Sequence, residues 1–222
     1  MSIKDNLKQI KLTLPENVTL VAVSKTKPVS DLMEAYNAGQ RIFGENKIQE
    51  MTEKYEQMPK DIEWHMIGHV QSNKVKYMAE FVSLIHGVDS FKLLKEINKQ
   101  AQKHDRVIDC LLQIKIADED SKFGMSAEDA STLLQSDEFS ELQHIKIVGV
   151  MGMATFTDDL KQVENEFKLL KSTFNALKPV QTTNCRLQTI SMGMSGDYQL
   201  AIECGSTMVR VGSSIFGARN YQ

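Results

Sequence analysis

No stretch of this 222-residue chain approaches the roughly 18 consecutive apolar residues of a membrane-spanning helix. Cysteine is scarce as well. Cys110, Cys185 and Cys204 are too few and too scattered for a disulfide framework or a thiolate metal cluster, and Cys110 and Cys204 read as small, reduced core residues. The five histidines, His65, His69, His86, His104 and His144, include one pair four residues apart, His65 and His69. Gly68 between them makes that segment a strand end entering a loop and not a zinc-binding helix, so no metal is expected. An excess of one charge is also lacking. The 26 Lys and Arg against 29 Asp and Glu leave a net charge of −3, which gives no electrostatic basis for nucleic acid or membrane as principal partner. The segment 1–9 alternates charged and apolar residues without the apolar centre or cleavage site of a signal peptide, which points to the cytoplasm.

Proline is rare too. Pro15, Pro28, Pro59 and Pro179 all fall between expected elements, and no Pro/Gly/Ser-rich linker or charge block divides the chain. With 41% hydrophobic and 25% charged residues, the composition is that of an ordinary globular protein built as one domain.

What the chain does contain is a succession of short apolar runs separated by longer amphipathic segments, the pattern of repeated strand–helix units around a parallel sheet. Eight strands are expected, at 20–24, 41–44, 64–68, 84–88, 109–116, 145–151, 186–191 and 207–211. Between them lie helix patterns at 30–39, 46–58, 73–81, 91–104, 126–134 and 160–177, with a shorter one near 197–204. Ser126 followed by Asp129 resembles a capping box with Asp in place of Glu. The expected fold is an α/β single-domain (β/α)8 TIM barrel with an N-terminal helix, over residues 1–222. A doubly wound open sheet is the alternative.

Side-chain chemistry is distributed unevenly along these units. Strand ends are followed by polar or sharply turning residues: Lys25; Gly44, Glu45 and Asn46; Gly68 to Asn73; Asp89 and Ser90; Asp118 to Ser121; Thr155; Ser191 to Ser195; Gly212 to Ser214. Strand starts are plainer. Such asymmetry suits a barrel whose site is built from loops at its C-terminal face.

Lys25 ends the apolar run Leu20, Val21, Ala22, Val23, Ser24 and is followed by Thr26, Lys27, Pro28. An amine partly withdrawn from water at that edge has a lowered pKa and can act as a Schiff-base nucleophile. A lysine snorkelling from a strand end is the plainer reading. Two later loops have phosphate-binding character. Ser191 to Gly196 combines glycines with hydroxyls before a short helix, and Val211 to Gly217 follows the eighth strand, the habitual phosphate site of this barrel. Arg210 lies inside an apolar strand and therefore needs a carboxylate, an anion or an aromatic acceptor. An aromatic phosphate ester bearing an aldehyde would use all three features.

VAVSKTKP at 21–28, FGEN at 43–46, WHMIGHVQSNK at 64–74, SMGMS at 191–195 and GSTMVRVGSSIFGAR at 205–219 closely resemble the pyridoxal phosphate homeostasis family, single-domain barrels like the N-terminal domain of alanine racemase. The resemblance covers essentially the whole chain. It implies that Lys25 carries pyridoxal 5′-phosphate as a Schiff base, and that Ser195 with the backbone of Gly212 and Ser213 holds the phosphate. It also implies that Asn46 lies close to the ring and that Arg210 faces the pyridine nitrogen, where a cation disfavours protonation and weakens the electron sink. Ser213 stands where the family commonly has threonine, an exchange that keeps the hydroxyl and the amide. The resemblance further implies a carrier or buffer of vitamin B6 without robust catalysis, serving apo forms of pyridoxal-phosphate enzymes and amino-acid balance; a monomer is expected, since no partner-completing domain is. Racemisation needs a second acid/base group on the opposite face of the substrate carbanion, and the domain that supplies that tyrosine in alanine racemase is not expected here. Tyr198 and Tyr221 keep a weak racemase-like activity as the alternative, and a phosphate-sensing interaction protein is a third.

Overall fold

The structure is a computed structural model that describes residues 2–117 and 123–218. Helix α1 (Ile3–Thr13) leads into β1 (Thr19–Val23), α2 (Val29–Asn37), β2 (Ile42–Glu45), α3 (Ile48–Gln57) and β3 (Glu63–Met66). A 3-10 helix (Ser72–Tyr77), β4 (Val82–Val88), α4 (Phe91–Lys103), β5 (Ile108–Gln113), α5 (Ala127–Gln135) and α6 (Asp137–Ser140) follow. The last part holds β6 (Ile145–Met151), α7 (Leu160–Leu177), β7 (Cys185–Met194), α8 (Tyr198–Glu203), β8 (Met208–Val211) and α9 (Ser213–Phe216). The eight strands form a closed barrel in sequence order, every pair parallel. The expected closed barrel is therefore the observed one, and the open sheet is not.

Alternation along each strand divides the apolar residues into two bodies. Val21, Ile67, Leu84, Leu111, Met151 and Met208, from or beside six different strands, pack on one another inside the barrel. Their neighbours in sequence, among them Leu20, Ala22, Ile85, Cys110, Leu112, Val150 and Val209, belong to the shell between barrel and helices. That period-2 division is what buries both faces of a parallel sheet.

Helix α1 begins at a capping box. Ser2 Oγ accepts the Asp5 N–H at 3.1 Å, and the Asp5 carboxylate accepts in return from Ser2. At α5 the exchange is partial: Ser126 Oγ accepts the Asp129 N–H at 2.9 Å, but the Asp129 carboxylate takes the Ser126 hydroxyl and not its amide. Asp is one methylene shorter than the Glu this motif normally uses. The expected helix at 73–81 is a short 3-10 helix. Helices α6 and α9 were not expected, because four-residue turns carry no periodic signal.

The largest departure is in β7. The sequence reading ends that strand at Ser191 and opens a loop, whereas the strand continues to Met194 across a register irregularity against β8. Gly193 permits this. Its φ of +95° suits glycine, and a Cβ there would stand 2.6 Å from the Cβ of Ala201 on α8. A glycine that read as flexibility is a bulge onto which α8 packs.

Above the apolar plug lies a polar layer. Two residues beyond Leu84 and Met208, on the same inward-facing side, sit His86 and Arg210. His65 Nδ1 meets His86 Nε2 at 3.1 Å, and His86 Nδ1 meets Ser191 Oγ at 3.0 Å. Arg210 donates to that same Oγ at 2.5 Å and to the Gly152 carbonyl at 3.1 Å. All four side chains are buried, so each depends on the chain for its hydrogen bonds. Burial pushes His65 down to about 3, and burial, His65 and Arg210 together hold His86 well below its usual range.

A histidine neutral in the fold and titrating near 6.5 when unfolded lends stability that is complete above pH 6.5 and is lost as pH falls toward 3. His65 alone then accounts for about 2 kcal/mol of lost stability between pH 7 and pH 5. Urea unfolding at both pH values should show a smaller loss in His65→Gln than in the parent; equal losses would mean that His65 is charged in the fold.

Candidate functional site

The C-terminal edge of the barrel brings together the ends of β1, β2, β7 and β8. Val21 pairs with Arg210 and Ala22 with Val211 across the closure, which sets Lys25 and the Gly212–Ser213 peptide at adjoining strand ends. Lys25 is half-buried in the turn that follows β1. The turn closes by the Lys27 N–H to the Ser24 carbonyl at 3.1 Å, and Thr26 stands at φ +64°, a left-handed conformation unusual for a β-branched residue.

Its anchoring is extensive. Ser24 donates its backbone N–H to the Gly44 carbonyl at 3.0 Å and its hydroxyl to Glu45 Oε1 at 2.6 Å. Thr26 donates its N–H to Glu50 Oε1 at 2.6 Å. Lys27 Nζ reaches the carbonyls of Phe216 and Ala218 at 2.9 and 3.0 Å, tying the turn to the segment after β8. Lys54 Nζ lies within 2.7 Å of both Glu45 Oε1 and Glu50 Oε1. Burial raises the Glu45 carboxyl against the opposing pull of Lys54.

Asn46 follows β2, half-buried, and its backbone touches Gly68 after β3. A Cβ at Gly68 would stand 2.4 Å from the Asn46 carbonyl oxygen, so only glycine lets the two strand ends approach this closely. Ser195 follows β7 and accepts the Gly212 N–H on its Oγ at 3.1 Å. Gly212 heads α9, whose Ser213 and Ser214 are exposed. Just before Ser195, the Met194 N–H bonds Asp197 Oδ1 at 2.5 Å, and burial raises the Asp197 carboxyl.

Arg210 meets no carboxylate within ion-pair distance among the described residues. Burial pushes its guanidinium down to about 10, partly offset by the charge of Asp197. Of the partners it needs, Arg210 therefore finds no carboxylate among the described residues. Its bonds to Ser191 and Gly152 hold a cation under the ring of strand ends.

Six of the seven residues singled out, Lys25, Asn46, Ser195, Arg210, Gly212 and Ser213, come from these strand ends or lie just beneath them. Ser191 differs. Expected in a phosphate-binding loop, it is a fully buried residue of β7 whose hydroxyl joins His86 to Arg210. The bulge at Gly193 carries the strand three residues farther, to Met194, before the loop begins at Ser195. Sequence reasoning missed the roles of His65 and His86. Their signal was available, since both lie in apolar strands where a polar side chain needs a partner, the argument applied to Arg210. His65 and His69 do not converge, for His69 turns outward to Asp89 at 3.4 Å and stacks on Phe123. Tyr198 directs its hydroxyl to Thr13 of α1 at 3.1 Å. Tyr221, Lys122 and the polar run 118–121 lie outside the described residues.

Residues 1–220 match the family described as alanine racemase, N-terminal domain. The pyridoxal phosphate homeostasis protein of Haemophilus influenzae is 43% identical over 207 residues, 92% of this chain and 86% of that protein. Its namesake in Pasteurella multocida is 41% identical over 234 aligned positions, 100% of this chain and 99% of that one. Among solved structures, PipY of Synechococcus elongatus with pyridoxal phosphate bound superposes with a TM-score of 0.88 at 34% identity, covering 97% of this chain and 100% of PipY. Alanine racemase from E. faecalis shares the fold alone: 16% identity, TM-score 0.76, and 98% of this chain against 58% of that one. An eight-stranded barrel ending in these motifs, matched from end to end by such relatives, is a member of the pyridoxal phosphate homeostasis family, built on the barrel of the alanine racemase N-terminal domain.

Proposed function

We propose that this chain binds pyridoxal 5′-phosphate on Lys25 and acts as its carrier or buffer in the cytoplasm, as a monomer, supplying apo forms of pyridoxal-phosphate enzymes and so sustaining vitamin B6 and amino-acid homeostasis. The observation that carries this reading is the convergence on one barrel face of a strand-end amine, a serine–glycine cradle and a buried guanidinium with no carboxylate partner among the described residues. The cofactor offers a matching set: an aldehyde, a phosphate dianion and a pyridine nitrogen that can accept a hydrogen bond.

The residues fit that group chemically. Lys25 would hold the group through its aldehyde carbon, an amine–carbonyl condensation that releases water and needs no oxidant or reductant. Ser195 Oγ and the backbone N–H groups of Gly212 and Ser213 supply donors for phosphate oxygens. Asn46 would present its amide to the ring. Arg210 would offer N–H donors to the pyridine nitrogen and disfavour its protonation. Bound pyridoxal phosphate supplies an electrophilic carbon and an electron sink, and the second of these is weakened by a cation at that position.

The same geometry disfavours the racemase reading. Proton delivery to the second face of a carbanion needs a positioned acid, and Tyr198 spends its hydroxyl on Thr13 instead. Among the described residues no helix is long and apolar enough to cross a membrane, and no group of three His, Cys, Asp or Glu is arranged to hold a metal ion.

Borohydride reduction of the protein saturated with pyridoxal phosphate, followed by peptide mapping, should place one adduct on Lys25. Lys25→Ala should lose it while melting as the parent does, since that side chain is outside both apolar cores. Label spread over surface lysines would refute the assignment. Ser195→Ala should weaken binding by about 1.5–3 kcal/mol, the worth of one hydrogen bond to a charged group. An unchanged dissociation constant would remove Ser195 from the phosphate site.

A further inference from the structure

The turn that carries Lys25 is held on both sides by a buried ion cluster that touches the residue before it and the residue after it. Lys54 of α3 is only 5% exposed, and its ammonium donates to the Ser24 carbonyl at 2.8 Å as well as to Glu45 and Glu50. Glu45 comes from the end of β2 and Glu50 from the first turn of α3. Ser24 is thus fixed through its carbonyl and its hydroxyl, and Thr26 through its amide. Lys25 lies between them.

This arrangement is a poor way to stabilise a fold. Desolvating an ammonium and a carboxylate cancels much of their attraction, and an apolar pair of similar volume would pack the wedge between β2 and α3 at less cost. Glu45 adds a further penalty, because its Oε2 is buried without a hydrogen-bond partner. Thr26 adds another by standing at φ +64°. Such costs persist where the surrounding structure fixes a conformation that function needs. The local need is a lysine whose backbone is pinned at the end of a barrel strand, so that its amine meets one electrophile in one orientation.

We propose that Glu50, supported by Lys54, is a positioning residue for Lys25: through the Thr26 N–H it holds the strained turn in the geometry that presents the Lys25 amine to an aldehyde. This deepens the proposed cofactor site and rests on that reading. Glu50 acts through the backbone and need not touch the cofactor. A second reading of the cluster is mere support of α3 against β2. It predicts lower thermal stability when Glu50 is changed, with no effect on binding by the folded protein.

The test compares the parent with Glu50→Ala and Glu50→Gln in full-length protein. Glu50 is partly exposed at its side chain, so truncation opens no core cavity and leaves the Lys54–Glu45 pair in place. Three quantities are measured: exchange of the Thr26 amide without cofactor, the pyridoxal phosphate dissociation constant from absorbance with the reduced adduct mapped, and the melting temperature. Glu50→Ala should accelerate Thr26 exchange and weaken binding about tenfold, the loss of one charge-assisted hydrogen bond, with melting close to the parent. Glu50→Gln, whose amide oxygen can still accept the Thr26 N–H, should recover most of both.

The proposal is overturned if Thr26 exchange rises while the dissociation constant stays at the parent value, or if exchange does not change. It is overturned equally if Glu50→Ala is unfolded at the assay temperature, which would make Glu50 a structural residue. Absence of a Lys25 adduct in the parent would instead refute the cofactor reading on which the proposal rests.

Discussion

The pairing of β8 with β1 is the contact on which the rest depends. It joins residues nearly two hundred positions apart, Val21 with Arg210 and Ala22 with Val211, at the full cost of closing the longest loop in the chain. Until it forms, Lys25 has a strand but no opposing cradle, and Gly212 has a turn but nothing beneath it. Once formed, it determines the spacing between an amine and a set of backbone donors without a flexible loop to set the distance. Gly212 shows how close that approach is, since a Cβ there would stand 3.1 Å from the Val23 carbonyl oxygen. Helix α1 reinforces the same seam, its Asn6 side chain donating to the Ile215 carbonyl of α9 at 3.0 Å.

How much of this is visible in the sequence depends on whether the signal is local. Strands built of Val, Ile and Leu between turn residues announce themselves, and eight of them in a βα rhythm leave few topologies other than a barrel. Lys25 is legible because it ends such a run, and Arg210 because a guanidinium inside one demands a partner. Lys54 is not legible. In the sequence it is one half of an i,i+4 pair with Glu50 on an amphipathic helix, the usual mark of a solvated face. Only the docking of α3 over the end of β1 turns that pair inward. Which partners meet in the chain from His65 to Arg210 is hidden for the same reason, its four members coming from four strands, although each buried polar group signals that it needs one. Ser191 was misplaced because serine, glycine and methionine in succession look the same whether they form a loop or a bulged strand.

The two buried networks divide the labour at the barrel mouth. Below, His65 and His86 are neutral and Ser191 is uncharged, so Arg210 keeps its charge with no carboxylate at ion-pair distance among the described residues, Asp197 acting on it only from farther away. A carboxylate in that layer would pair with the guanidinium and free the space above it from positive potential. To one side, Glu45, Glu50 and Lys54 carry charge, Glu50 and Lys54 directing it at backbone groups of the turn and Glu45 at the Ser24 hydroxyl and Lys54, and their net effect falls on the conformation of the turn. In the proposed site, one network would set the electrostatics facing the ring nitrogen, and the other would set where the amine stands.

A site made this way is suited to holding an aldehyde more than to transforming what the aldehyde has captured. Covalent capture needs an amine in place and a phosphate anchor, and both come from rigid strand ends. Stabilising a carbanion is favoured by a protonated ring nitrogen, and reprotonating it on the second face needs an acid there. Arg210 opposes the first, and Tyr198, engaged with Thr13, does not supply the second. In the proposed site capture would lose only water, so its reversal would need no group beyond those that formed it. A binder that is covalent, reversible and chemically subdued would separate storage of a reactive cofactor from its use.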